Sequence, residues 1–379
     1  MRKPRLHLLL ILAAVLCCFA ACGRARQALT SVVEGDGAGE TQQTSVAPRD
    51  SVVAAPTVTI AMTGDVMLGT MYPEPKLPAN DGRNLFDDAA PLLKDADVAV
   101  GNLEGVIADS MTPKKKGEKQ VKAYYFRMPP SMAHLLSEAG YDFLSLANNH
   151  AYDFLAPGEA STRRYLDRLG ISYAGTVNCE SAVKRIGNVT YGFAAFGHNA
   201  FVQPMRDTAA VRRIITGLKA QCDVVIVSFH GGAEGVDHRH LPEGSEHYAG
   251  ENRGNLRSFA HFAVDCGASV VYGHGPHVVR AIELYNGHLI AYSLGNFCTP
   301  CGVSVAGLCG YAPLLIASVD VTDGHFTGGR IHSMIQQWGI GPRNDSTNRV
   351  AREMAQLTAA DIPVQGRPAI APDGTITAR

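Results

Sequence analysis

The sequence has little that would mark a nucleic-acid binder. Its 34 Lys and Arg residues are balanced by 35 Asp and Glu, a formal net charge of −1, so there is no global basic field to attract a phosphate backbone. A single tryptophan among 379 residues, with 7% aromatics in all, offers no obvious platform for base stacking. No apolar run reaches the roughly 18 residues that a membrane-spanning helix needs; Leu8 to Ala21 has fourteen. A second CxxC is missing beside Cys298-Thr-Pro-Cys301, and no histidine adjoins it, so a cysteine-type zinc knot is the weakest reading of that pair. What is present in quantity is hydrophobic residue, 46%. That is ample for a large core, arranged as one big domain or two ordinary ones.

The start of the chain reads as an address rather than as fold. Arg2, Lys3 and Arg5 precede the short apolar run, and small residues then lead to a cysteine, the pattern of an export signal over residues 1–21. "FAAC", Phe19 to Cys22, resembles the lipobox of bacterial lipoproteins, with Phe19 in place of the usual aliphatic residue. It makes Cys22 the candidate for lipidation, with a soluble cleaved protein as the alternative. Residues 22–56 are rich in Ala, Gly, Thr, Ser and Gln without apolar period, a flexible linker in composition. Export would leave Cys179, Cys222, Cys266, Cys298, Cys301 and Cys309 in an oxidising compartment. A local structural disulfide is expected among Cys298, Cys301 and Cys309, and buried thiols at Cys222 and Cys266. The folded domain is expected over 57–340, and 341–379 as a tail in which "RVAREMAQLTAAD" is a candidate helix.

Between these ends, apolar strand-like runs alternate with helix-like segments, as in an α/β sheet. Five of the runs stop in the same way. "VTIAMTGD" ends at Asp65, "ADVAVGNLEG" at Asn102 and Glu104, "YDFLSLANNH" at Asn148, Asn149 and His150, "CDVVIVSFHGG" at His230, and "ASVVYGHGPH" at His274 and His277. Any one could be a turn or a cap. Ligands of open α/β sheets, however, bind beyond the carboxyl ends of the strands, so all five together predict one crevice. Its donors are oxygen and imidazole nitrogen without thiolate, which suits Mn, Fe or Zn better than Ca or Mg. Six candidate ligands exceed the need of one tetrahedral ion; two divalent transition metal ions fit the count and are suited to hydrolysis.

The ordered motifs "GDVMLG" (64–69), "GNLEG" (101–105), "ANNHAYDF" (147–154), "FHGGAEG" (229–235), "GHGPHV" (273–278) and "IAYSLGNF" (290–297) resemble the CapA family. That family is associated with poly-gamma-glutamate capsule synthesis and belongs to the calcineurin-like metallophosphatases. The resemblance spans roughly residues 57–337. It implies a four-layer α/β/β/α sandwich, a single domain of the metallo-dependent phosphatase type, with a binuclear site at the strand ends. It makes Asp65, Glu104, Asn149, His230, His274 and His277 the metal ligands and His150 the proton donor. Three departures stand out. Met67 occupies the place of a histidine, Glu104 that of a bridging aspartate, and two residues rather than one separate His274 from His277.

His150, oriented by Asp153, is thus the expected acid catalyst, and Asn102, Arg127 and Asn296 the expected substrate contacts. His261, among apolar positions of a helix, reads as core. Five lysines between 114 and 122 form either a solvated loop or a cationic lip for a polyanion. The function implied is that of an envelope-associated metal-dependent hydrolase of the CapA type. It would act in the synthesis, processing or export of poly-gamma-glutamate or a similar anionic polymer, lipid-anchored to a bacterial membrane and facing the periplasm or exterior. The alternatives are a non-enzymatic accessory of a membrane-bound polymer synthase, and a phosphoesterase on a small phosphate ester. No nucleic acid is expected as a partner.

Overall fold

Strand Thr57–Val66 shows how the layers arise. Ile60 and Met62 point into one hydrophobic cluster and Ala61, between them, into another, the period of two of an extended chain. The same split recurs in Val98–Leu103, where Val98 and Val100 face one way and Ala99 the other. Both faces of this sheet are therefore covered.

The computed structural model describes residues 56–113 and 124–378. The export segment, most of the linker with Cys22, and the lysine-rich stretch 114–122 lie outside them. No helix among the described residues is long and apolar enough to cross a membrane. The first sheet runs in the order Ala369–Ile370, Thr375–Thr377, Phe326–His332, Leu314–Asp320, Thr57–Val66, Val98–Leu103, Phe143–Ser145, Ser172–Ala174, with Asn296–Cys298 beside the end of Thr57–Val66. The second runs Ile282–Tyr285, His288–Ala291, Val270–His274, Val224–His230, Val189–Gly197, Ser181–Ile186. In each, the central strands are parallel, so their carboxyl ends gather on one side.

The sheets pack face to face, Phe143 of the first stacking on Phe193 of the second at 4.6 Å between ring centroids. Truncating either ring to alanine would cost about 3–5 kcal/mol. Helices Ala90–Asp95, His134–Ala139 and Leu155–Leu169 close the outer face of the first sheet, sharing its cluster through Leu93, Leu136 and Leu166. Helices Thr208–Lys219 and Leu256–Asp265 close that of the second. The former starts where Asp207 accepts from Ala209 and Ala210 N–H groups, an N-cap, and buries Val211, Ile214, Ile215 and Leu218, one face of a 3.6-residue period. The architecture is the four-layer α/β/β/α sandwich.

Two expectations change. The chain beyond 340 belongs to the domain: helix Arg349–Asp361 buries Val350, Ala351, Met354 and Leu357, and Thr375–Thr377 pairs with Phe326–His332 while burying Ile376. The cysteines among the described residues are all free thiols, so the expected disulfide among Cys298, Cys301 and Cys309 is absent. Strand pairing next to Val66 turns Cys298 into the outer cluster of the first sheet, where burial pushes its thiol pKa far up. Cys222 and Cys266 are buried. His261 is half-buried on its helix, stacked on Tyr285 at 3.8 Å and 3.1 Å from Glu283 Oε2.

Candidate metal centre

Two rows of strand ends face each other. In the first sheet, Asp65 lies level with Asn102 on one side and Asn296 on the other. In the second, Gly197, His230 and His274 are in register. Across the gap, His274 Nδ1 is 3.2 Å from Asp65 Oδ1 and His230 Nε2 is 3.6 Å from Glu104 Oε1. Within each sheet, glycines let neighbouring strand ends approach closely. A Cβ on Gly64 would stand 2.0 Å from the Gly295 carbonyl, and one on Gly275, at φ 115°, 2.5 Å from that of Gly231.

Asp65 is fully buried and takes Asn102 Nδ2 at 2.8 Å and His277 Nδ1 at 2.9 Å. Burial alone would raise its pKa, but hydrogen bonds and charge from His274 and His277 outweigh it and hold the carboxyl well below its usual range. His277 adopts a left-handed backbone, φ 58°, uncommon outside glycine. Burial favours its neutral form, yet Asp65 pushes its pKa up to about 10. Glu104 is likewise lowered against its burial by His230.

Five of the sequence-derived ligands therefore meet, Asp65 with His274 and His277 and Glu104 with His230, while Asn149 directly follows Asn148, which donates to Asn102. Among the described residues no group of three or more His, Cys, Asp or Glu side chains is arranged to hold an ion. What marks the crevice is that several of its atoms carry unspent lone pairs together. Glu104 Oε1, Asn149 Oδ1, both ring nitrogens of His230 and Nε2 of His274 are shut off from solvent without a hydrogen-bond partner. Buried polar atoms are rarely left so, and an oxygen–imidazole set with unspent lone pairs fits a divalent transition ion in chemical type.

Beside this set, His150 Nδ1 lies 2.8 Å from Asp153 Oδ2, which also accepts the Phe126 N–H at 2.8 Å. The Phe126 ring lies 4.3 Å from that of His150. Burial favours neutral imidazole there, but Asp153 outweighs it and raises the His150 pKa.

The three expected substrate contacts sit otherwise. Asn102 is fully buried: its Nδ2 bridges Asp65 and Glu104 Oε2, the latter at 2.6 Å, and its Oδ1 accepts from Asn148 Nδ2 at 2.9 Å. It spaces two carboxylates that would otherwise repel. Asn296 Oδ1 meets His277 Nδ1 at 3.1 Å, and its Nδ2 donates to the carbonyls of His277 and Cys309 at 3.2 and 3.3 Å. It fixes the His277 turn. Arg127 donates to the carbonyls of Met111 and Met71 and lies over Tyr72 and Phe154, its guanidinium carbon 5.6 Å from the latter ring. Asn102 and Asn296 spend their polar groups on the chain itself, as Arg127 does its two terminal nitrogens, its buried Nε having no partner.

Sequence reasoning missed His198, which follows strand Val189–Gly197 directly; "FGHNAF" carried the same apolar-to-histidine signal as the other ends. Its Nδ1 is 3.3 Å from the His230 carbonyl and its ring stacks near that of His230. Burial, with His230 and Arg253 nearby, brings its pKa down to about 4.

Against known proteins, the chain is 26% identical over 267 residues to the PGA biosynthesis protein CapA of Bacillus subtilis, covering 66% of this chain and 65% of that protein. It is 30% identical over 260 residues to the capsule biosynthesis protein CapA of Bacillus anthracis, covering 63% and 59%. It thus spans less than two thirds of the length of either relative. Among solved structures it resembles a phosphatase from Mycoplasma pneumoniae, with TM-score 0.48, 14% identity, and coverage of 77% of this chain and 96% of that one. Residues 59–300, which contain every residue of the crevice, match the family described as bacterial capsule synthesis protein PGA_cap, and to that family the chain belongs.

Proposed function

We propose that the chain is an exported, metal-dependent hydrolase-like protein working in the synthesis, processing or export of polyglutamate or a similar anionic capsule polymer. The observation that carries this reading is the set of buried, unpartnered oxygen and imidazole donors next to the His150–Asp153 pair. Asp65, Glu104, Asn149, His230, His274 and His277 would hold up to two divalent ions of Mn, Fe or Zn. Such ions, when bound, supply Lewis-acid polarisation of the scissile group and of an attacking water.

The remaining work falls to the chain. Asp153, its side chain 2% exposed, fixes His150 through Nδ1 and leaves Nε2 as the atom that passes a proton to the leaving group. Phe126 packs against the imidazole, the two rings tilted by 46°. Asn102 keeps Asp65 and Glu104 apart, and Asn296 holds the His277 turn.

A second reading, a non-enzymatic accessory of a membrane-bound polymer synthase, is favoured by two features. Met67 stands where the motif resemblance expects a histidine, and among the described residues no three His, Cys, Asp or Glu side chains are arranged to hold an ion. His150→Ala separates the two. Its loss should leave metal content and thermal unfolding near wild type while lowering polymer production or hydrolysis by about 10²–10⁴-fold, the usual worth of a positioned acid. Full polymer function in that variant would reject the hydrolase. Membrane attachment through Cys22 is part of the proposal: a fatty-acid probe should label the wild type in cells and leave Cys22→Ser unlabelled, and equal labelling of both would remove the anchor.

A further inference from the structure

Five strand ends carry the proposed ligands, and the structure sets a sixth beside them. Val189–Gly197 runs parallel to Val224–His230 with Gly197 level with His230, so His198 emerges one step beyond the row of ligands. Its side chain is 2% exposed, and its ring centroid lies 5.9 Å from that of His230 with the planes 23° apart. One ring nitrogen, Nδ1, faces the His230 carbonyl at 3.3 Å; the other, Nε2, faces Glu251 Oε2 at 3.3 Å.

From Glu251 the contacts return to where they began. Arg253 Nε is 3.0 Å from Glu251 Oε2, and the Arg253 carbonyl accepts the N–H of Gly232, two residues past His230, at 3.0 Å. Arg253 Nη1 also reaches Glu234 Oε1 at 2.9 Å. The exit of the strand that bears His230 is thus enclosed by a ring of contacts running through His198, Glu251 and Arg253. Within that ring, His198 is the member that meets His230 itself.

We propose that His198 is a positioning residue of the metal centre: it fixes the peptide of His230, and with it the direction of the His230 ring, without touching ion or substrate. This rests on the reading of His230 as a ligand. A flat ring suits the place, because it lies along the His230 imidazole while holding a donor at the carbonyl. Groups that orient a metal-bound histidine typically account for about 10–100-fold in metal affinity.

The amides of asparagine and glutamine take the roles of the histidine apart. An asparagine side chain at this position is too short for Glu251, so His198→Asn keeps a donor near the Nδ1 position only, whereas His198→Gln keeps one near Nε2. On the full chain, Zn(II) and Mn(II) affinities would be measured by competition with a chromogenic chelator, beside thermal unfolding of each variant without metal. His198→Ala and His198→Gln should bind at least about tenfold more weakly than wild type. His198→Asn should stay within about threefold, and the metal-free unfolding midpoints should stay together. If wild type binds metal and His198→Ala or His198→Gln binds as tightly, His198 positions nothing. If His198→Asn and His198→Gln weaken binding equally and lower the metal-free midpoint together, the role is structural packing and the inference fails. If wild type itself binds no metal, the metal-centre reading fails and takes the inference with it.

Discussion

Replacing Glu246 by leucine should be among the most damaging single changes outside the metal ligands. Arg280 is fully buried, three residues past His277, and its Nη1 and Nη2 each meet a different oxygen of Glu246 at 2.8 Å. Glu246 Oε2 also accepts the Ala233 N–H at 2.9 Å, and Arg280 Nη2 donates to the His238 carbonyl at 2.6 Å. One ion pair therefore ties the turn after His230 to the turn that carries His277. Removing the carboxylate strands a guanidinium in the interior, and breaking a buried pair from one side costs about 3–5 kcal/mol. At roughly 2 °C per kcal/mol, the low end of the range since this chain is larger than the domains behind it, the midpoint should fall by on the order of 6–10 °C. Urea unfolding of wild type, Glu246→Leu, Arg280→Met and the double variant gives the coupling directly. The double variant should recover about 1–3 kcal/mol relative to the sum of the singles, because no charge is then left unpaired. A Glu246→Leu cost under about 1 kcal/mol, or strict additivity, would refute the idea that this pair is buried and shared.

Other consequences are simpler to state. His230→Ala and His274→Ala should each lower bound metal, by mass spectrometry of protein purified without chelator, with far-UV circular dichroism unchanged because both side chains cap strand ends; unchanged stoichiometry in both would show the site misassigned. Asp345 accepts from Thr347 and from the Arg349 N–H at the start of the last helix; burial opposes its charge, but these hydrogen bonds outweigh it and bring its pKa down to about 2. Since the folded value lies below the unfolded one, the stabilisation is complete above about pH 4 and is lost as pH falls toward 2. Asp345→Ala should thus cost about 1–2 kcal/mol at about pH 6, and the gap to wild type should narrow by about pH 3; a gap that stays constant with pH would reject it.

The parts of the fold that were legible in the sequence are those written locally. Apolar runs ending at Asp, Asn or His were readable because a buried parallel strand needs apolar residues on both faces and releases polar ones only at its end. Asn286-Gly287 was readable as a hairpin turn because both residues must take positive φ, and they do, at 49° and 82°. The last helix had its period, but its place in the core was not readable. Nothing in "RVAREMAQLTAAD" says that Thr358 will accept the Ile282 N–H from a strand 76 residues earlier, and Thr375–Thr377 pairs with a distant strand through two residue pairs only, Gly329 with Ile376 and Arg330 with Thr375.

The same limit explains the polar residues whose roles changed. Asn102, Arg127 and Asn296 have the chemistry of substrate contacts, and sequence shows chemistry without showing where it is spent. Asn102 lies between Asp65, Glu104 and Asn148 because three strands deliver them there. Two carboxylates on neighbouring strand ends need a donor between them more than a substrate needs one more amide. Arg127 follows the same logic, its guanidinium drawn to two carbonyls and two aromatic faces within reach. A crevice that concentrates charge at strand ends must be braced by neutral amides and buried pairs around it. The bracing residues look like the working ones until their partners are known. His198, Glu251 and Arg253 belong to that bracing, as do Arg280 and Glu246. The division between groups with spent lone pairs and groups with unspent ones is therefore what separates the support from Glu104, Asn149, His230 and His274; the buried unpartnered nitrogens of Arg127 and Arg280 are donors with no lone pair to offer an ion.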